Sequence, residues 1–389
     1  MKVAPVDWHN QLFASLSENV AQSTELDSRL EVLLTDYLVT ARAGRKLAKT
    51  SHVGANLAMN SSADDGDDID WSVVTHPGSI IWSALLHQLF ANPTSVVRFK
   101  DAAYAAYRTS ASVAGVFGSS HRAKWHITTT AGTLAAATAS NVLLNATAAQ
   151  SISALSHAAA NMGGIAIADR RTGAAIFNRG AAVTLGILSS EAAISGIPHA
   201  TNIWDGDRGL VALFSLSVES QSVLIRDGIS TAGLRLLPCN GFVQSAYQAI
   251  AESRRDLGGE LLSMRVGLTQ AMLPFLDGSV GGDYWNARHA AAKAWNSGDI
   301  ERDLSLIEVI GSDVPVGGVE LEVKTTTGEK RMRLESAPGS NFLATNEVQW
   351  RLEKHHRMIG ESDSKAAQKL ARELLANTCN LAELKNFIL

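Results

Sequence analysis

A chain of 389 residues is too long for one ordinary hydrophobic core and suits two domains. Its 46% hydrophobic and 19% charged residues exclude an intrinsically disordered chain. Lys plus Arg number 34 against 38 Asp plus Glu, a net charge of −4 with no basic stripe, which excludes a dedicated nucleic-acid binder.

Two distant cysteines, Cys239 and Cys379, exclude a disulfide framework and a four-thiolate zinc centre. The opening MKVAPVDWHNQLFASLSENV carries Asp7 and Glu18 and lacks an unbroken apolar run. It does not read as a secretory signal, so the expected compartment is the cytoplasm. In chain order, residues 8–60 show helical spacing, with Leu26, Leu30, Leu33, Leu34 and Leu38 forming a core-facing stripe. The run 64–70 (DDGDDID) reads as a loop. An apolar helix is predicted over 80–90, and Ala-rich helices over 104–116, 133–144, 148–162 and 181–195. No Asp, Glu, Lys or Arg occurs in 125–168. That stretch is full of Thr, Ser, Asn and Gln and has no Trp/Tyr belt or basic flank, so it reads as closely packed helices of small residues rather than a membrane span.

The texture changes near residue 217. Short strands are predicted at 223–225 and 234–237, a helix at 245–253, weak alternation at 264–268 and a helix at 287–295. The clearest hairpin runs over 319–325 and 330–334 across Gly328. Pro338 and Gly339 close this segment, and the tail from Asn346 is helical, with Leu370, Leu374, Leu381 and Leu384 on one face. The expected fold is therefore mainly α. A helical domain is formed by 1–216 plus 339–389, and a smaller α+β domain by 217–338.

No Walker loop, HExxH or GxSxG is present, and GSVGGD at 278–283 reads as a loop. Ser362 and Lys365 have S-x-x-K spacing but sit in a charged stretch, as at a solvated helix start. Five aspartates in 64–70 invite a calcium reading, but Ile69 and Val73 fall where ligands or the central Gly are needed. No metal site is expected, and Asp64, Asp65 and Asp67 read as a solvated acidic loop. Asp68, Asp70 and His76 differ. In DIDWSVVTHPGS the His stands before a Pro-Gly breaker at a helix entrance, where backbone N–H groups attract anions and an imidazole can exchange protons. Trp125 to Thr133 (WHITTTAGT) repeats this order, with His126 ahead of a run of hydroxyls. Thr129 and Thr130 are candidates to hold a carboxylate, against the alternative of helix capping. Arg179 in IFNRGAA, and Arg235 with Asn240 in LRLLPCNGF, are candidate carboxylate contacts, against the alternative of surface salt bridges.

These segments, in this order, resemble the MmgE/PrpD family, which includes 2-methylcitrate dehydratase, cis-aconitate decarboxylase and iminodisuccinate epimerase. The similar pieces are DWSVVTHPGS, WHITTTAGTLAAA, FNRGAAVTLG, DGDRGLVALF and LLPCNGFVQSA. The resemblance implies a large helical domain plus a smaller α+β lid, a site between them, a homodimer, a small-molecule carboxylate substrate and no cofactor. It places the family's His on His76, its acidic neighbour on Asp70 beside Trp71, and the second His on His126. The basic lid position falls on Arg235 and the lid Tyr near His289, with Tyr284 close by. The usual Lys falls near Ala175, and three further family His positions fall on Asn178, Asn240 and Gln244. The implied chemistry is proton transfer next to a carboxylate, in a dehydratase or decarboxylase. His76 is the acid/base, Asp70 or Asp68 tunes it, and His126, Thr129, Thr130 and Arg235 hold carboxylates. The alternatives are an isomerase or epimerase using His76 with His289, a cyclase of the same fold, and an inactive paralogue that has lost the Lys and His.

Overall fold

The computed structural model describes residues 23–63, 65–166, 173–204, 207–214, 216, 225–278 and 285–389. The chain divides into two compact units. One holds the described residues of Met1–Ile167, Ala174–Ala232 and His355–Leu389; the other holds those of Ala168–Gly173 and Gly233–Lys354.

The first unit is helical: α1 (Thr24–Gly44), α2 (Val53–Ser61), α3 (Pro77–Ala91), α4 (Phe99–Arg122), α5 (Ile127–Leu143), α6 (Ala148–Asn161) and α7 (Ala174–Ile194). Helix α5 is the hub, packing on α3, α4, α6 and α7, and every residue in it except Val142 is buried. Its small side chains let neighbouring backbones approach. A Cβ at Gly186 of α7 would fall 2.5 Å from the Ala136 Cβ and 2.6 Å from the Thr133 carbonyl oxygen. Most of the uncharged Thr and Ser residues there have their hydroxyls satisfied within or between the helices, though the Ser140 hydroxyl is buried without a partner among the described residues. Thr133 donates to the Thr129 carbonyl at 2.8 Å, Thr138 to that of Leu134 at 3.1 Å, and Ser190 to Asn141 Oδ1 at 2.6 Å. Among the described residues no helix is long and apolar enough to cross a membrane.

The predicted helices are present, and several are longer. Helix α4 extends past both ends of 104–116, and α7 begins seven residues before 181. The segment up to Ala232 stays with the helical unit because α1 holds it. Buried Arg29 donates from Nε to the Ile229 carbonyl at 3.0 Å and from Nη2 to that of Ala232 at 2.7 Å. The second unit consequently starts at Gly233 and runs to Lys354, against 217–338 in the sequence reading.

In the second unit, α8 (Gln244–Leu257) and α9 (Ala287–Trp295) accompany a four-stranded sheet of β1 (Leu261–Thr269), β2 (Ile307–Ser312), β3 (Val319–Thr325) and β4 (Glu329–Leu334). The spatial order is β2-β1-β3-β4. β1 and β2 are parallel and joined through α9, as a parallel pair requires a crossover. The other pairs are antiparallel, and the predicted hairpin pairs Val319 with Leu334 and Lys324 with Glu329. Met264, Val266, Leu321 and Val323 are buried, while Glu308, Arg265, Glu322 and Arg331 form a charged row across all four strands.

One expectation needs correction. Residues 234–237 form no strand. Gln244 satisfies that backbone instead, accepting from the Leu237 N–H at 2.9 Å and donating to the Leu237 and Cys239 carbonyls at 2.8 Å. Gln244 thereby replaces a neighbouring strand as hydrogen-bond partner. Most of the strand predicted at 223–225 lies outside the described residues, as do Asp64, Tyr284 and most of the 278–283 loop.

The tail returns to the first unit. The helix Thr345–Leu375 breaks at Gly360, and its Ala367, Leu370, Ala371 and Leu374 are buried. Within this unit His355 Nε2 lies 2.9 Å from Asp36 Oδ1, both residues fully buried.

Candidate functional site

The site grows from a tight turn. Asp70 N–H donates to the Thr75 carbonyl at 2.9 Å, and Val74 N–H donates back to the Asp70 carbonyl at 2.7 Å. Closing this turn puts Val74 at φ 59°, a left-handed conformation that a β-branched residue adopts only at a cost of about 1–3 kcal/mol. The Asp70 carboxylate locks the turn. Oδ1 accepts from the Ser72 N–H at 2.9 Å and hydroxyl at 2.6 Å, and Oδ2 from the Thr231 hydroxyl at 2.6 Å. Trp71 is buried in the same turn.

The turn delivers His76 to the N-cap position of α3, with Pro77 at the first helical position, where a missing N–H is harmless. The His76 side chain does not cap. Asp68 does so from ten residues away, its two carboxylate oxygens lying 2.9 and 3.0 Å from the Gly78 N–H. Only glycine permits that approach, since a Cβ at Gly78 would lie 2.7 Å from Asp68 Oδ2. The same carboxylate accepts from the Tyr107 hydroxyl at 3.1 Å. Burial, with the neighbouring Asp67 charge adding to it, pushes the Asp68 carboxyl up to about 8.

His76 Nδ1 sits 2.7 Å from the main-chain carbonyl of Asp68. A carbonyl only accepts, so Nδ1 carries the proton and the neutral ring bears its lone pair on Nε2. The imidazole is partly accessible. This differs from the expected carboxylate partner: the backbone of Asp68 orients the ring, and Asp70 is committed to its turn.

The second His turn adjoins the first. His76 N–H donates to the Thr128 hydroxyl in the opening turn of α5 at 3.2 Å. His126 is the N-cap residue of α5, partly accessible, and its N–H donates to the Gly164 carbonyl at 2.8 Å. The hydroxyls expected to hold a carboxylate are engaged with protein. Thr129 donates toward the His126 and Gly163 carbonyls at 2.7 and 2.9 Å. Thr130, fully buried, lies 2.8 Å from His121 Nε2. Thr130 therefore faces an aromatic nest of His121, Phe117 and Phe214, where burial lowers the His121 imidazole to about 4.

Arg179 on α7 is buried and forms an ion pair of 2.5 Å with Asp67. Asp67 is 2% exposed, which corrects its reading as part of a solvated loop. The Arg179 Nε is buried without a hydrogen-bond partner among the described residues. Asp67, Asp68, Asp70, Trp71, His76, His126, Thr129, Thr130 and Arg179 thus all belong to the helical unit. The three remaining candidates belong to the other. There Arg235 is buried, Asn240 accepts the Phe242 N–H at 2.9 Å as the cap of a short turn, and His289 stands in the first turn of α9 with its N–H toward Asn286 Oδ1 at 3.2 Å. Among the described residues no group of three or more His, Cys, Asp or Glu is placed to hold a metal ion.

Sequence reading missed Tyr107 and the Asp36–His355 pair. Tyr107 lies mid-helix among alanines, and no local pattern marks its contact with Asp68 thirty-nine residues away.

A mainly helical scaffold with a small α+β unit and a histidine at each of two adjoining helix entrances defines the class of protein. The chain belongs to the MmgE/PrpD family: the MmgE/PrpD N-terminal domain matches residues 22–221. Members of that family are generally enzymes. No curated protein matches the chain.

Proposed function

We propose that this protein is a lyase acting on a small carboxylic acid, with His76 moving a proton at the carbon next to a carboxylate. The observation that carries this reading is the Asp68 carbonyl 2.7 Å from Nδ1, which leaves the basic lone pair on Nε2 of a partly accessible ring. The helix entrance beside it supplies positive dipole character for an anionic substrate. Arg179, whose buried Nε–H has no partner among the described residues, is the proposed carboxylate contact on the same unit. His126 is the proposed partner of His76 in holding the anion. In this scheme Nε2 takes the α proton, and the helix entrance with the Arg179 Nε–H stabilises the charge that builds on the carboxylate.

The test has two stages. Thermal shift across di- and tricarboxylic acids identifies ligands; H76Q then keeps the shift with the active acid but loses about 10²-fold in turnover and in α-proton exchange in D₂O. Unchanged turnover and exchange in H76Q overturn the reading. Exchange without release of water or CO₂ selects the isomerase chemistry instead, and stabilisation by no acid removes the proposed substrate class.

A further inference from the structure

Three hydrogen bonds connect the interior of the helical unit to His76. The Trp82 Nε1–H donates to the Tyr107 hydroxyl at 3.0 Å, Tyr107 reaches Asp68 Oδ2 at 3.1 Å, and the Asp68 carbonyl holds His76 Nδ1 at 2.7 Å. The polarity of this chain is set by chemistry. An indole N–H only donates, so Trp82 occupies a lone pair of the Tyr107 oxygen, and the one phenolic proton is directed to Asp68. Tyr107 and Trp82 are both fully buried, with rings 5.8 Å apart at 61°, and neither has room to turn away. The Asp68 carboxyl is thus held from two sides, by Tyr107 from the core and by the Gly78 N–H from α3.

We propose that Tyr107, backed by Trp82, is a positioning residue for His76: its hydroxyl fixes the Asp68 carboxyl, and through it the carbonyl that selects the imidazole tautomer. The role rests on the reading of His76 as the acid/base. A buried tyrosine that merely needs a partner could use any main-chain carbonyl. This one uses an ionisable side chain in a crowded place. Asp67, paired with Arg179, and Asp36, paired with His355, both lie close enough to act on Asp68 electrostatically. Without the Tyr107 donor, the Asp68 carboxyl is held only by the Gly78 N–H.

The experiment reads the tautomer directly. In ¹⁵N-histidine-labelled protein, with the His76 resonances assigned from their absence in H76Q, the wild type shows the Nδ1–H form predominating above the imidazole midpoint. Y107F lowers the ratio of Nδ1–H to Nε2–H about five- to tenfold, the equivalent of one neutral hydrogen bond. Because Y107F orphans the Trp82 N–H, the double variant W82F/Y107F removes donor and acceptor together and shows the same tautomer change in a folded protein. A His76 tautomer ratio unchanged in both variants overturns the proposal. A changed ratio alongside an H76Q enzyme of undiminished turnover leaves the positioning role standing and removes the proposed function, so the two failures are separable. With an active substrate, Y107F lowers kcat while KM stays within about twofold, the signature of a misaligned base rather than lost binding.

Discussion

Asp68 and Asp70 stand two positions apart in one acidic run, yet their carboxylates serve different structures. Asp70 gathers the Ser72 N–H, the Ser72 hydroxyl and the Thr231 hydroxyl and closes the turn before α3. Asp68 caps α3 through Gly78 and offers its carbonyl to His76. Asp70 is therefore expected to matter for stability and not for the imidazole. D70A leaves the N–H and hydroxyl of exposed Ser72 and the half-buried Thr231 hydroxyl without their acceptor and costs about 1–2 kcal/mol in urea unfolding. The His76 midpoint by NMR moves by less than about 0.2 pH unit, since the hydrogen-bond partner of the ring is untouched. A larger movement of that midpoint, with stability unchanged, reverses the two assignments. Sequence reading placed His76 correctly at a helix entrance because Thr-His-Pro-Gly carries a local signal: Pro at the first position and Gly next. It assigned the tuning of His76 to a carboxylate because side chains are what a sequence displays. A main-chain carbonyl as partner has no sequence signature.

At the scale of elements, the helices were legible from small-residue runs and apolar spacing, and the hairpin from period-two alternation across Gly328. Their ends were not, because α4 and α7 continue through polar residues that tertiary packing buries, His121 in α4 and Arg179 in α7. The strand expected at 234–237 failed for a related reason: Leu234 N–H donates to the distant Gly339 carbonyl and Leu237 is served by the Gln244 side chain, so no strand ladder forms. The small-residue crossing of α5 and α7 gives a sharp expectation. At Gly186 a methyl group would meet the Thr133 carbonyl oxygen at 2.6 Å and the Ala137 nitrogen at 2.9 Å, which are backbone atoms that cannot rotate aside. G186A gains helix propensity of roughly 1 kcal/mol, but forcing the helices apart costs about 1–3 kcal/mol or more, so the net effect is a lower Tm. G186V adds a larger clash and lowers it further. If G186A raises Tm, the close approach of α5 and α7 is wrong.

For the whole molecule, two buried titratable groups shape stability against pH from opposite sides. His121 has its folded-state value lowered to about 4 by burial, below the ordinary imidazole value of 6.5. The unfolded chain therefore binds that proton first, and stability is lost as pH falls from 6.5 toward 4, about 2 kcal/mol by pH 5. Asp68 is raised to about 8 from 3.8 by burial and by Asp67. Its contribution is largest below the unfolded value and is lost as pH rises toward 8, about 2 kcal/mol between pH 6 and pH 8. Other groups titrate over the same range, so the difference between wild type and a single variant is the informative quantity. H121Q retains a side-chain partner for Thr130 and cannot take up the proton; its stability relative to wild type improves as pH drops below 6.5. D68N keeps an oxygen for the Gly78 N–H and cannot ionise; its relative stability improves as pH rises from 6 to 8. Urea midpoints at half-unit intervals from pH 4.5 to 9 measure both limbs. Parallel curves for wild type and D68N above pH 6 mean that Asp68 is ionised throughout that range. A carboxyl held neutral at the entrance of α3 leaves the helix dipole there unneutralised, available to an arriving anion; a permanently ionised one repels it. D68N accordingly gains stability relative to wild type as pH rises to 8 and, with an Asn amide pressed against the Tyr107 hydroxyl, is the less active protein, the expected signature of a carboxyl retained for chemistry rather than for folding.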